Sequence, residues 1–209
     1  MSNNEVKSIR LAVLLSGGGR TLDNLIIQIR EGELPARIEL VISSSSTAMG
    51  LKKATDAGIQ ARAISKTGKT IDQFSREITA ELDNVKPDLV CLAGFMCFYT
   101  IPDPYLGKVM NVHPALLPAF GGKGMYGHFV HQAVLDAGCK ISGCTVHFAD
   151  NVYDHGPIII QRAIRVLEED TADTLADRVF EEEKIAYPHA INLFAQGRLQ
   201  IIGKRVRIL

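Results

Sequence analysis

Apolar positions along the chain recur in two rhythms, one of strands and one of helices. Ile9 to Leu15 is an apolar run that ends at Ser16-Gly17-Gly18-Gly19, and Leu22, Leu25, Ile26 and Ile29 then return at helical spacing. This reads as strand, tight loop, helix. The alternation continues with a strand near Ile38–Ser43, a helix near Ala48–Ala57 and a short strand near Ala61–Ile64. A longer helix follows, its stripe made of Ile71, Phe74, Ile78, Leu82 and Val85, and Leu89 to Ala93 is the next buried strand. Repeated β-α-β units with short connections predict an α/β fold: a mostly parallel twisted sheet with helices on both faces.

The pattern loosens after a short run at Val109-Met110. A glycine-rich loop at Gly121, Gly122 and Gly124 leads to a helix near Phe129–Ala137, then to strand-like runs over Ile141–Ala149 and Pro157–Val166. A long helix from about Thr174 to Ala195 and two short strands, Leu199–Ile202 and Arg205–Ile208, complete the pattern. No repeat or linker interrupts it. With 209 residues and 46% apolar content the chain can bury a full core, so one domain over residues 1–209 is expected.

Charge narrows the partners. The 23 basic and 23 acidic residues cancel, which gives no electrostatic reason to expect nucleic acid and makes small-molecule substrates the simpler reading. No stretch approaches the ~20 apolar residues that span a bilayer. The polar start Met1-Ser2-Asn3-Asn4-Glu5 lacks the regions of a signal peptide, so no membrane partner and a cytoplasmic location are expected. Cys91, Cys97, Cys139 and Cys144 form no CxxC pair and sit mostly in apolar contexts; neither disulfides nor a metal are expected.

The densest chemistry lies in Asn111-Val112-His113-Pro114-Ala115-Leu116-Leu117-Pro118 and the later Asp154-His155-Gly156-Pro157. Both segments follow strand-like runs, and strand ends are where α/β sheets carry their sites. Asn111 can donate to a carbonyl oxygen becoming an oxyanion, His113 can exchange a proton with an amine, and Asp154 can hold the imidazole and set its charge. This is a set for acyl transfer without a covalent intermediate. For a lone His between prolines, a rigid turn is the plainer account; the Asn and Asp partners favour chemistry.

Two further features are open to either a ligand or a structural reading. Ser16-Gly17-Gly18-Gly19-Arg20-Thr21 lies between the first strand and first helix, where free backbone N–H groups attract anions. Leu22 stands where GxGxxG needs glycine, and the Gly-Lys-Ser/Thr ending of a P-loop is absent, so neither nucleotide motif fits. A single phosphate on Gly19, Arg20 and Thr21 is one reading, and a tight turn with Thr21 as N-cap is the other. Farther on, Val179, Glu183, Ala186 and Ala190 share one helical stripe, so Glu183 faces inward and needs a partner, either a ligand or a neighbouring basic side chain.

Ser-Gly-x-Gly, Leu92-Ala93-Gly94-Phe95-Met96, Asn111-Val112-His113-Pro114, Leu116-Leu117-Pro118 and Asp154-x-Gly156 occur in this order and spacing over nearly the whole chain. On these residues the chain resembles the 10-formyltetrahydrofolate-dependent formyltransferases, and among them the phosphoribosylglycinamide formyltransferase family. The resemblance implies a Rossmann-like formyltransferase fold and formyl transfer from 10-formyltetrahydrofolate to the amine of glycinamide ribonucleotide, in purine synthesis. It implies Asn111 as the carbonyl-binding residue, His113 as proton donor and Asp154 as the carboxylate that favours the imidazolium. Gly19, Arg20 and Thr21 match the phosphate loop and Glu183 the carboxylate that binds the ribonucleotide. Met96, Cys97, Phe98 and Tyr99 match the stretch lining the folate pocket, with Asn111 also facing it. Thr145 and His147 match residues beside the site, where a structural part is equally open to them. A homodimer is one assembly open to such a chain.

Departures from the family bear on the folate. Cys97 stands where members often carry Arg, and Ile71 where they carry a basic residue, which leaves the contacts to pterin and glutamate tail open. The segment Gly121–His128 differs from the shorter loop expected after Leu-Leu-Pro; it is either a cover for the substrate or a surface loop. Competing functions are a 10-formyltetrahydrofolate hydrolase, a methionyl-tRNA formyltransferase and a non-catalytic folate or nucleotide sensor. From sequence, the extra N-terminal domain of the first and the C-terminal RNA-binding module of the second are expected to be absent. The intact Asn111, His113 and Asp154 argue against the sensor.

Overall fold

The computed structural model describes residues 8–209, so the polar start Met1–Glu5 lies outside the described residues. The elements are β1 (Ile9–Leu15), α1 (Arg20–Arg30), β2 (Ala36–Ser43), α2 (Met49–Asp56), β3 (Gln60–Ala63), α3 (Ile71–Val85), β4 (Leu89–Leu92), β5 (Val109–His113), α4 (His128–Asp136), β6 (Ile141–Phe148), β7 (Ile158–Arg165), α5 (Ala172–Ala195), β8 (Leu199–Ile202) and β9 (Arg205–Ile208). All nine strands join one sheet in the order β3-β2-β1-β4-β5-β6-β7-β9-β8. From β3 to β5 every pairing is parallel, whereas β6 runs antiparallel to both β5 and β7. The loosened pattern of the second half is this change of strand direction.

The sheet is covered on both faces, which explains why its central strands read as continuous apolar runs rather than alternating ones. On β1, Leu11, Val13 and Leu15 join a core with Leu22 and Leu25 of α1, Val134 of α4 and Leu175 and Val179 of α5. Ala12 and Leu14 point the other way, into a second core with Phe74, Ile78 and Leu82 of α3. The α3 stripe begins one turn later than the sequence pattern implies, since Ile71 at the first helical position is 44% exposed. A capping box between Thr70 and Gln73 fixes that end. A second one, between Thr171 and Thr174, starts α5 at Ala172, ahead of the expected Thr174.

After β1 the chain steps outward to β2 and β3, then crosses back to β4 on the other side of β1. Loops leaving the ends of β1 and β4 therefore diverge, and such a switch point opens a crevice. Ser16 tethers its two walls: its hydroxyl accepts from the Met96 N–H at 2.9 Å and lies 2.6 Å from the Ser44 hydroxyl.

Helix α5 is anchored under the crevice by two side chains. Pro188, inside the helix, has no N–H to offer the Lys184 carbonyl. The buried Asn24 of α1 donates its amide to that carbonyl at 3.0 Å, tying the helix that follows the glycine loop to the helix that carries Glu183. Tyr187, fully buried, has its hydroxyl 2.9 Å from the Met110 carbonyl and 3.1 Å from that of Leu92, which links α5 to the ends of β4 and β5.

Candidate active site

Above these strand ends lies a cleft of about 490 Å³. Asn111 and His113 come from β5, His147 from β6 and Asp154 from the β6–β7 connection, and all four line the cleft. Register brings them together, because Asn111 pairs with His147 and His113 with Thr145 across the antiparallel ladder. Residues 36 and 43 positions apart thus form one cluster.

The hydrogen bonds assign the protons. His147 Nδ1 is 2.9 Å from the Phe148 carbonyl, an acceptor, so that nitrogen carries the hydrogen and Nε2 is left as an acceptor. Burial pushes the pKa of His147 down and keeps the ring neutral. Asn111 Nδ2 therefore donates to His147 Nε2 at 3.2 Å, with a longer contact of 3.4 Å to Asp154 Oδ1. A flipped amide would set its oxygen against the lone pair of His147 and against the carboxylate, so the network holds the Asn111 donor toward the cleft.

His113 is only 3% exposed. Its Nε2 donates to the Phe120 carbonyl at 2.8 Å, which commits that nitrogen to the loop and leaves Nδ1 for chemistry. Nδ1 lies 3.6 Å from Asp154 Oδ1, an ion-pair distance when the ring is protonated. The other carboxylate oxygen accepts from the Gly122 N–H at 2.8 Å. Gly122 has φ +99°, a conformation that favours glycine, and Asp154 itself has φ +51°. The Gly121–His128 segment thus supplies a hydrogen bond that holds the carboxylate.

Thr145 does not line the cleft. Its hydroxyl donates to the Ala115 carbonyl at 2.7 Å and accepts from the Leu117 N–H at 3.0 Å, so it secures the turn between His113 and Phe120. Gln161 completes this support by donating to the Leu117 carbonyl at 2.9 Å. No local pattern in the sequence marks Gln161, whose partners lie on another strand and a loop.

On one side of the cluster the cleft is bounded by Gly19, Arg20 and Thr21. The first helical bond of α1 runs from the Asp23 N–H to the Gly19 carbonyl, so those of Arg20, Thr21 and Leu22 lack intrahelical acceptors. Gly19, at φ +70°, occupies the N-cap position; Thr21 is inside the helix, contrary to the turn reading. A side chain at Gly19 would meet the Gly50 Cα at 2.9 Å, so this packing against α2 demands glycine. Arg20 lies over the Phe180 ring at 4.1 Å and pairs with the exposed Asp177 at 2.9 Å, which leaves a solvated ion pair easily exchanged for a ligand anion.

Glu183 borders the same end of the cleft. Desolvation pushes its carboxyl up to about 8, opposed by the charge of Arg20. The protonated acid is therefore favoured in the fold, and stability it contributes is greatest below its unfolded value near 4.5 and declines as pH rises toward 8. Replacing Glu183 by Gln removes this dependence. Discounted for the carboxyl's opening on the cleft, the penalty at pH 9 is about 1–2 kcal/mol, or about 2–8 °C. Glu183→Gln is expected to melt that much higher than the parent at pH 9 and nearly level with it at pH 4.5; parallel melting curves across this range would contradict the assignment.

The opposite wall carries Met96, Cys97 and Phe98, with Phe98 packed on Tyr153 at a centroid distance of 4.9 Å. Tyr99 belongs mainly to the second core, 4% exposed, with its hydroxyl 3.1 Å from that of Thr79. Phe95, stacked parallel to Phe74 at 6.1 Å, extends the apolar wall. This wall suits a flat, largely apolar ring system. Among the described residues no group of three or more His, Cys, Asp or Glu is placed to hold a metal ion, and no helix is long and apolar enough to cross a membrane.

The chain is similar to known proteins along most of its length. The sequence model of the formyl transferase family matches residues 9–191. Over 205 residues the chain is 42% identical to the trifunctional purine biosynthetic protein adenosine-3 of Bos taurus, covering 97% of this chain but 20% of that protein, so it spans about a fifth of that relative's length. It is 33% identical over 196 residues to the phosphoribosylglycinamide formyltransferase of Escherichia coli (strain K12), covering 92% of this chain and 90% of that one. The crystal structure of glycinamide ribonucleotide transformylase 1 from Symbiobacterium toebii superposes with a TM-score of 0.88 at 42% identity, over 97% of this chain and 94% of that one. Matched by the family model over most of its length, and by a relative that it covers almost end to end, the chain belongs to the phosphoribosylglycinamide formyltransferase family of formyl transferases.

Proposed function

We propose that this chain transfers the formyl group of 10-formyltetrahydrofolate to the amine of glycinamide ribonucleotide, in purine biosynthesis. The observation carrying this reading is that one cleft holds the Asn111–His113–Asp154 cluster between the helix-end loop Gly19–Thr21 with Glu183 and the apolar wall Met96–Phe98. The loop has unpaired N–H groups and a cation for a phosphate. Glu183 offers a carboxyl to the sugar hydroxyls, and the wall receives the folate ring, with Tyr99 supporting it from the core.

In this mechanism the neutral amine attacks the formyl carbon. Asn111 exchanges its long contact with Asp154 for the carbonyl oxygen as negative charge develops there. His113, protonated at Nδ1, stabilises the same oxygen and then passes its proton to the departing folate nitrogen as the C–N bond breaks, and the proton lost by the attacking amine re-protonates Nδ1. Asp154 balances the imidazolium throughout, held by Gly122. His147, kept neutral by burial, adds no charge and orients Asn111. A preorganised donor of this kind typically contributes about 3–4 kcal/mol to the transition state.

The proposal includes one formyltransferase domain over residues 1–209, supported by the continuous nine-stranded sheet. It includes cytoplasmic action, supported by four free thiols. It also includes a homodimer, to be tested by sedimentation velocity. The central experiment measures formyl-donor turnover with and without glycinamide ribonucleotide, in the parent and in an Arg20→Ala, Thr21→Ala variant. Turnover should depend on the ribonucleotide, and the variant should raise its KM by about 10- to 100-fold with little change for the donor. Turnover indifferent to the ribonucleotide indicates a hydrolase, and binding without turnover a sensor; either result overturns the proposal.

A further inference from the structure

On α4, one turn after its first residue, His131 lines the cleft although it is only 3% exposed. Its Nδ1 is fully enclosed without a hydrogen-bond partner, and no hydrogen bond or ion pair to either ring nitrogen is present among the described residues. Nε2 also has no protein partner but, unlike Nδ1, is not enclosed, so it is the ring nitrogen that a ligand in the cleft can reach. The neighbouring buried histidines behave differently: His113 is bonded to Phe120 and His147 to Phe148 and Asn111.

The position of the ring indicates what it meets. α4 packs on the same sheet face as α1 and α5, contributing Val134 to the core that includes Leu22 and Val179. Phe95 and Cys97 of the apolar wall pack against the core on the other face. His131 therefore stands on the side of the cleft that holds Arg20 and Glu183, within electrostatic reach of His113.

We propose that His131 is a further substrate-binding residue, whose uncharged imidazole hydrogen-bonds a neutral polar group of the amine-bearing substrate, a sugar hydroxyl or the amide, between the phosphate loop and His113. Burial, with His128 and His113 nearby, lowers its pKa to about 4, so at neutral pH the ring binds as a neutral group and adds no second cation beside a protonated His113. An uncharged ligand group is the match, because a phosphate would call for a cation there. This assignment rests on glycinamide ribonucleotide being the acceptor.

The test compares His131→Phe, which keeps a ring in the core and removes both hydrogen-bonding atoms, with His131→Gln, which keeps a donor and an acceptor. His131→Phe should raise the KM for glycinamide ribonucleotide by about 5- to 20-fold, leave that for the formyl donor within about twofold, and melt no lower than the parent. His131→Gln should recover part of the loss. An unchanged ribonucleotide KM in a folded His131→Phe enzyme overturns the assignment, as does an equal rise in both KM values or a Gln variant no better than Phe. If His131→Phe fails to fold, the comparison passes to His131→Gln and His131→Leu, with the same KM contrast deciding. A parent enzyme with no ribonucleotide-dependent turnover overturns the choice of acceptor itself, and this assignment with it.

Discussion

His113→Ala is expected to lower turnover by about 10²–10⁴-fold, the range that a positioned proton donor typically contributes. The loss should fall on kcat rather than on ribonucleotide binding, because Nδ1 acts on charge that develops only as the carbonyl is attacked. Some destabilisation accompanies it, since the Phe120 carbonyl loses its 2.8 Å donor and a buried ring is removed. Circular dichroism and titration calorimetry with the ribonucleotide separate the two effects. A folded variant that binds the ribonucleotide and turns over within tenfold of the parent would remove His113 from the chemistry.

Asp154→Asn isolates charge from shape. Asn tolerates a positive φ such as the +51° of Asp154, so the backbone can persist. If the amide oxygen takes the Gly122 N–H, its NH₂ faces the donor of Asn111 and Nδ1 of His113, where only an acceptor serves. A turnover loss of about 10²–10³-fold is expected, comparable with removing one preorganised electrostatic partner. Activity within fivefold of the parent would show that the His113 imidazolium needs no carboxylate. Loss of activity together with a collapse of the Gly121–His128 segment, read by limited proteolysis, would mean that Asp154 acts through the loop alone.

Much of this molecule is legible in its residue pattern. The strand Ile9–Leu15 and the α3 stripe from Phe74 follow from local apolar periodicity, since these elements bury their apolar side chains, whereas the short strands Leu199–Ile202 and Arg205–Ile208 are legible from residue type although they stay largely exposed. Two-sided burial of the central strands follows from their unbroken apolar runs. Asn111 and His113 in the last residues of β5, and Asp154 beyond β6, are legible because polar groups that end an apolar run mark the end of a strand.

Other parts depend on distance in space. The turn to antiparallel pairing at β6 has no local signature, yet it sets Asn111 opposite His147. Thr145 and Gln161 hold the His113–Phe120 turn through partners 28 to 44 residues away. The enclosed His131 looks in sequence like any polar residue of a helix.

The sequence by itself thus determined which segments form strands and helices and which side chains have the chemistry for acyl transfer, because periodicity and residue type are local properties. Only the tertiary structure decided which nitrogen of His113 is left for the proton, which carbonyl Asn24 must satisfy beside Pro188, and how far desolvation raises Glu183. Proton placement, hydrogen-bond completion and solvation depend on atoms contributed by other segments, and those neighbours exist only once the sheet has assembled.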